Sequence, residues 1–149
     1  MSKEEILFFL NSNKDKQITN SPAPFMNWLA PKLLAFSEGS LELAYTIRPE
    51  MANPVGILHG GVIAAIIDDS IGATLITYGK LEFHATINLN IDYLGASKPG
   101  ETIIAVTKVV KKGKQLTNAI CEIWNNDKTR MLAKGSSNLL LANQYAIKS

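Results

Sequence analysis

His59-Gly60-Gly61-Val62-Ile63-Ala64-Ala65-Ile66-Ile67-Asp68-Asp69-Ser70-Ile71-Gly72-Ala73-Thr74-Leu75-Ile76 is an apolar run interrupted by two adjacent carboxylates. It reads as one long helix ending near Tyr78-Gly79, with glycine as the C-cap. Such a helix is apolar nearly all round, so it must be buried on most sides. On either side of it the hydrophobic period changes to two. Before it, Leu41, Leu43, Tyr45 and Ile47 alternate with Glu42, Ala44 and Thr46, a half-buried strand, and Pro49 and Asn53-Pro54 mark a loop. After it, Ala85, Ile87, Leu89, Ile91 and Tyr93 are expected on one face of a strand, with Thr86, Asn88, Asn90 and Asp92 on the other. Lys98-Pro99-Gly100 is a turn, Thr102 to Val110 a strand, and Lys112-Gly113-Lys114 a hairpin. Leu116 to Trp124 is a strand, Asn125-Asn126-Asp127 a turn, and Arg130 to Leu141 the last strand. Tight turns imply antiparallel pairing. One or two strands, a long helix and four more strands thus predict an α+β chain, a curved antiparallel sheet wrapped around one central helix. Its open edges would be covered naturally by pairing two copies.

The N-terminal part is organised differently. Residues 3–11 predict a short helix, with Ser2 as N-cap and Glu4-Glu5 in the first turn. Pro22 and Pro24 open a second one through Phe25, Trp28 and Leu29, ended by Pro31. These pieces either cover an exposed surface or help to shape a pocket. The expected organisation is a single domain over 1–149, with a helical extension at 1–37 and the sheet-and-helix core at 38–142.

Composition narrows the function classes. Of 149 residues 46% are apolar and 19% charged, which suits a globular chain rather than a disordered one. A net charge of +2 does not suggest a nucleic-acid binder. The basic residues nevertheless concentrate late in the chain, with Lys108, Lys111, Lys112 and Lys114 close together. The mean hydropathy of +0.07 is slightly oily for a small monomer and favours an oligomer. One cysteine, Cys121, cannot form an internal disulfide, and beside only His59 and His84 it makes a structural metal site a poor expectation. A cytoplasmic location is expected. The run Ile6 to Leu10 follows two glutamates and is too short for an export signal, and Val62 to Ile67 is too short to cross a bilayer, so no membrane role is expected.

The residues able to do chemistry gather around the helix. Gly60 and Gly61 would be costly in a helix interior, but in the first turn they expose N–H groups that have no helical partner. A carbonyl oxygen or anion could approach those groups, aided by the helix dipole; close packing of helix on sheet is the other use of two glycines. Asp68 and Asp69 both have mostly apolar neighbours at helical spacing, and periodicity does not choose between them. Whichever is buried would have a raised pKa and suit general-base work. His59 and Asp68 are nine helical steps apart, about 13.5 Å of rise and on opposite faces. If both act on one bond, the site must use two chains, and a two-fold dimer would hold two such sites. Asn53 could donate an amide hydrogen bond to the same oxygen as the glycines, or simply form an Asn-Pro turn. Thr86 could hold a water, or be an ordinary strand threonine. His84 is expected to be structural and Cys121 a small core residue.

The segment Asn53-Pro54-Val55-Gly56-Ile57-Leu58-His59-Gly60-Gly61, followed by Asp68, resembles the hotdog-fold thioesterases of the phenylacetate-pathway (PaaI-like) and 4-hydroxybenzoyl-CoA groups. Asn90-Ile91-Asp92-Tyr93-Leu94, Pro99-Gly100-Glu101 and Lys112-Gly113-Lys114 are similar to the same family, and the resemblance runs from about residue 40 to 142. It implies a hotdog fold, a homodimer or dimer of dimers, and an acyl-CoA thioester bound at the dimer interface. The Gly60 N–H, helped by Asn53, would polarise the carbonyl, with Gly61 beside it. Asp68 of the partner chain would be base or nucleophile. Thr86 falls where relatives carry a hydroxyl that positions the attacking water, and His59 would orient the loop or lie near the leaving sulfur.

Thioester hydrolysis suits this set. Preorganised N–H donors stabilise the charge that develops on the carbonyl oxygen, and one such donor is typically worth ~3 kcal/mol. A thiolate leaves readily, so one carboxylate to activate water would be enough. No metal or redox cofactor is required, CoA being part of the substrate. Lys111, Lys112 and Lys114 could meet the CoA phosphates, or form a solvated hairpin tip. Two other functions compete: a non-catalytic acyl-CoA-binding or interaction protein on the same fold, which would not need Asp68, and a hotdog dehydratase or hydratase, whose loop-then-helix Asp/His pair is not seen. The acyl group, the choice between nucleophile and base, and the choice between dimer and tetramer stay open.

Overall fold

The computed structural model describes residues 1–145; the end of the expected domain, 146–149, lies outside the described residues. Helix α1 (Lys3–Asn13) starts in a capping box, in which the Ser2 side chain accepts from Glu5 N and the Glu5 side chain accepts from Ser2 N. Its Ile6 and Leu10 are buried. Helix α2 (Pro24–Leu29) stops at Ala30, which takes a left-handed φ of 50° just before Pro31.

Six strands follow: β1 (Lys32–Ser37), β2 (Ser40–Thr46), β3 (His84–Tyr93), β4 (Thr102–Lys112), β5 (Leu116–Asn125) and β6 (Met131–Leu141). Helix α3 (Gly60–Thr74) lies between β2 and β3 and tightens into a 3-10 turn, Leu75–Tyr78, before Gly79 turns the chain at φ 73°. The expected wrapped sheet is present: all neighbours in the order β1-β2-β4-β5-β6-β3 are antiparallel. Strand β1 falls within the stretch expected to be a helical extension. A register shift between Leu33 and Ala35 breaks its alternation, which hides it from a period-two reading.

The interior of the sheet receives the helix. Ile66, Ile67 and Ile71 are fully buried. On the middle strands small side chains, Ala105, Ala119, Cys121, Ala133 and Gly135, are buried, and larger ones such as Tyr45, Ile103 and Ile123 share the same core. Burial pushes the Cys121 thiol up, so it is an inert core residue, as expected. The hydroxyl groups of the helix's second half are paired. Tyr45 Oη and Ser70 Oγ are hydrogen-bonded at 2.9 Å, Thr74 Oγ1 donates to Ser70 O and is bonded to Thr107 Oγ1, and Thr77 Oγ1 takes the N–H of Gly39. By length and hydropathy alone, Gly60–Tyr78 would suffice to cross a membrane, more than the six-residue run from Val62 suggested; here it is the central helix of the fold.

The two edges of the sheet differ. The outer edge of β1 is covered by residues 15–18: Asp15 N donates to Leu33 O, Leu33 N to Lys16 O and Ile18 N to Pro31 O. Strand β3 pairs only with β6 among the described residues, and Ile87, Tyr93 and Leu94 on and beside it are more than half exposed. Its register shifts between Thr86 and Asn88, leaving Ile87 as an extra, bulged residue. On the outward face Asn118 donates to Asn138 Oδ1, and Asn138 donates to Asn88 Oδ1, a ladder across three strands that ends at this open edge.

At Gly135 helix and sheet pack closely: a Cβ there would lie 2.9 Å from Ile67 Cγ2 and 3.4 Å from Asn90 O. Gly135→Ala should therefore destabilise the chain by about 1–3 kcal/mol, the usual cost of overpacking, measured as a lower midpoint of urea unfolding at unchanged m.

Candidate active site

The first turn of α3 is held by its own N-cap. His59 Nδ1 accepts from Gly61 N at 2.8 Å, and His59 O accepts from Val62 N and Ile63 N. With Nδ1 accepting, the neutral ring carries its proton on Nε2. A Cβ on Gly61 would lie 2.9 Å from His59 Nδ1, so glycine there makes room for the cap. The Gly61 N–H is thus already engaged within the chain. The Gly60 N–H has no acceptor among the described residues and is the first-turn donor left for a ligand. Gly60 O is bound by Tyr93 Oη at 3.0 Å.

The preceding loop is braced as well. Asn53 Oδ1 accepts from Val55 N and Ile57 N, so the side-chain oxygen folds the Asn-Pro turn and leaves the amide nitrogen as the group able to donate elsewhere. Leu58 N donates to Ser97 O and His59 N to Met51 O, tying the approach to α3 to two other segments.

Asp68 and Asp69 lie in different surroundings. Thr86 Oγ1 donates to Asp68 Oδ1 at 2.7 Å, joining the half-buried carboxylate to the exposed edge strand. The expected polar face of β3 is corrected here. Thr86 pairs with buried Leu139, whereas Asn88 pairs with Asn138 on the outward face, so the bulge at Ile87 turns Thr86 towards the helix. Asp69 has the buried oxygen: its Oδ2 has no hydrogen-bond partner among the described residues. Burial, and secondarily the neighbouring Asp68 charge, push its carboxyl up to about 6.

The three lysines lie elsewhere. Lys111 and Lys112 end β4 and Lys114 follows in the hairpin, all exposed. Lys112 Nζ lies 5.1 Å above the Tyr78 ring, at the C-terminal end of the central helix and far along it from Gly60. Among the described residues, the His84 ring has one hydrogen-bond partner, Glu82 O, through Nδ1 at 3.3 Å. A depression of about 540 Å³ is lined by Asn90, Asp92, Ile120, Glu122, Lys134 and Ser136 among others; it includes neither Gly60 nor Asp68. The geometry at the hydrogen-bonding groups is the better guide to chemistry, because it offers a free donor and a carboxylate with a fixed orientation.

Comparison with known proteins bears on these residues. Residues 55–132 match the thioesterase superfamily, which takes in Gly60, Asp68 and Thr86. Human acyl-coenzyme A thioesterase 13 is 26% identical over 111 residues, covering 74% of this chain and 79% of that protein. Zebrafish thioesterase superfamily member 2 superposes with a TM-score of 0.75 at 20% identity, over 95% of this chain and 99% of the other. A variant of the phenylacetic acid degradation protein PaaI from Thermus thermophilus superposes with a TM-score of 0.72 at 20% identity, over 80% of this chain and all of the other.

The raised Asp69 carboxyl gives stability a definite pH dependence. Its folded pKa, about 6, lies above the ordinary value of 3.8, so between these limits the folded chain holds a proton that the unfolded chain has lost. Stability should fall as pH rises from 4 through 6, by up to ~3 kcal/mol from this group, and level off above. Asp69→Asn should flatten that part of the profile, as followed by urea unfolding at pH 4, 5, 6 and 7.5.

Proposed function

The chain belongs to the thioesterase superfamily and is a thioester hydrolase; we propose that its substrate is an aryl- or fatty-acyl-CoA, hydrolysed to the free acid and CoA at a site shared by two copies. The observation that carries this reading is the pair of hydrogen bonds made by β3. At one end Thr86 holds Asp68, and seven residues on, Tyr93 holds Gly60.

Gly60 and Asp68 are eight helical steps apart, about 12 Å of rise, so one chain does not bring both to a single carbonyl. Antiparallel pairing of β3 with a copy of itself does. If Thr86 lies opposite the partner's Tyr93, the partner's Asp68 comes to the Gly60 end of the first chain, and two equivalent sites form about the two-fold axis. Support for that pairing comes from the sheet edges: β1 is covered by residues 15–18, and β3 is open with Ile87 and Leu94 exposed beside it.

The chemistry follows. The Gly60 N–H donates to the thioester carbonyl oxygen, and the Asn53 amide nitrogen is the second candidate donor. Thr86 occupies Oδ1 of Asp68 and fixes the carboxylate's orientation, leaving Oδ2 to accept from water. As water oxygen bonds to the carbonyl carbon, its proton passes to Asp68; the tetrahedral oxyanion then collapses, the C–S bond breaks, and the CoA thiolate takes up a proton. Direct attack by Asp68, through an anhydride that water then opens, is the alternative course. His59 holds the first turn through its bond to Gly61. In the same two-fold pair the partner's α3 runs the opposite way, so the partner's lysine hairpin lies on the Gly60 side of the axis. There Lys111, Lys112 and Lys114 would act as point charges for CoA phosphates. No metal or redox group has a part in this scheme.

Thiol release from a panel of acyl-CoAs, by the wild type and by Asp68→Asn in parallel, tests it. The wild type should turn over at least one acyl-CoA, and the variant should lose about a hundredfold or more in kcat. Undiminished turnover in the variant would remove Asp68 from the mechanism. CoA esters that bind without hydrolysis would make the chain a binding protein.

A further inference from the structure

Tyr93 is the last residue of β3, and its side chain is half exposed, yet it makes two specific contacts with one residue. Its phenol donates to Gly60 O at 3.0 Å, and its ring Cε1 is 3.3 Å from the point a Cβ on Gly60 would occupy. Gly60 is the residue least able to hold itself in place, since it has no side chain and opens the helix. Both its neighbours are fixed, His59 through its N–H to Met51 O and Gly61 through its N–H to His59 Nδ1. Tyr93 is anchored in turn, because the next two amides, Leu94 N and Gly95 N, both donate to Leu132 O at 2.9 and 3.0 Å. The phenol therefore links Gly60 to the rigid body of the sheet.

We propose that Tyr93 is a positioning residue for the reaction: by clamping the Gly60 carbonyl and lying against its Cα, it fixes the direction of the Gly60 N–H towards the thioester oxygen. This rests on Gly60 being the carbonyl donor. A donor is effective in proportion to its alignment with the oxygen of the transition state, so an unclamped Gly60 should cost turnover more than binding.

Tyr93→Phe keeps the ring and removes only the hydroxyl. Its kcat should fall about tenfold with KM changed less than about twofold, the size expected for one hydrogen bond acting in the transition state. The second readout is vibrational. The thioester C=O stretch of an acyl-CoA bound to the slow Asp68→Asn protein should shift to lower frequency relative to free ligand, and the shift should shrink when Tyr93→Phe is added. Unchanged kcat in Tyr93→Phe, with an active wild type, overturns the role of Tyr93 and leaves the thioesterase reading standing. So does a loss of kcat with an unchanged C=O shift, which would mark a merely structural contribution. A wild type inactive on every acyl-CoA overturns the thioesterase reading and this proposal with it. If Tyr93→Phe does not fold, a polyfluorinated tyrosine at position 93 serves instead: its phenolate cannot donate, so kcat should fall as that phenol ionises with rising pH. A profile identical to the wild type's would overturn the proposal.

Discussion

Ile66, Ile67 and Ile71 of the central helix are fully buried, and most of the molecule follows from the need to bury them. A helix with that stripe inside, together with Ile63, Ser70 and Thr74, turns the same face to the sheet along about three turns. The sheet must curve to follow it and must carry small residues where the two come closest, hence Ala105, Ala119, Cys121, Ala133 and Gly135. The stripe also decides where the carboxylates go. With residues 67 and 70 inside, residues 68 and 69 are thrown to opposite flanks, about 100° apart on the helical wheel. The flank that carries Asp68 meets Thr86 of β3.

That separation gives two chemically identical neighbours unlike properties. Asp68 receives a hydroxyl from Thr86 on Oδ1, which fixes the orientation of its carboxylate. Asp69 has an oxygen out of reach of both water and any donor among the described residues, which favours the neutral form, and the charge of Asp68 beside it pushes the same way. Asp69, its carboxyl pushed up to about 6, keeps its proton to higher pH than an ordinary aspartate.

Most of the architecture could be read from periodicity, because the apolar stretch from His59 and the alternating strands after Gly79 differ plainly in period. Two irregularities could not. The register shift after Leu33 concealed β1, and the bulge at Ile87 reversed the side on which Thr86 lies. A bulge adds a residue without any compositional mark in Thr86-Ile87-Asn88, so strict alternation assigned Thr86 to the outward face with the asparagines. The candidate site was legible as residue types, glycines at a helix start and a carboxylate in an apolar run. Its wiring was not. That His59 engages the Gly61 N–H, and that a tyrosine seven residues beyond Thr86 holds Gly60, depend on distances between segments far apart in the chain.

The two glycines at the start of α3 show how such wiring divides labour. Gly61 is small because the imidazole of His59 must fold back over it, and its N–H is consumed in doing so. Gly60 is small because the Tyr93 ring lies against it, and its N–H stays free. One glycine builds the cap that stabilises the helix end, and the other presents the donor that the cap and the tyrosine hold still. An open helix start would offer both N–H groups, each loosely oriented. This one offers a single N–H with its neighbours fixed on either side, and an oxyanion is best served by a donor that needs no reorganisation when charge develops.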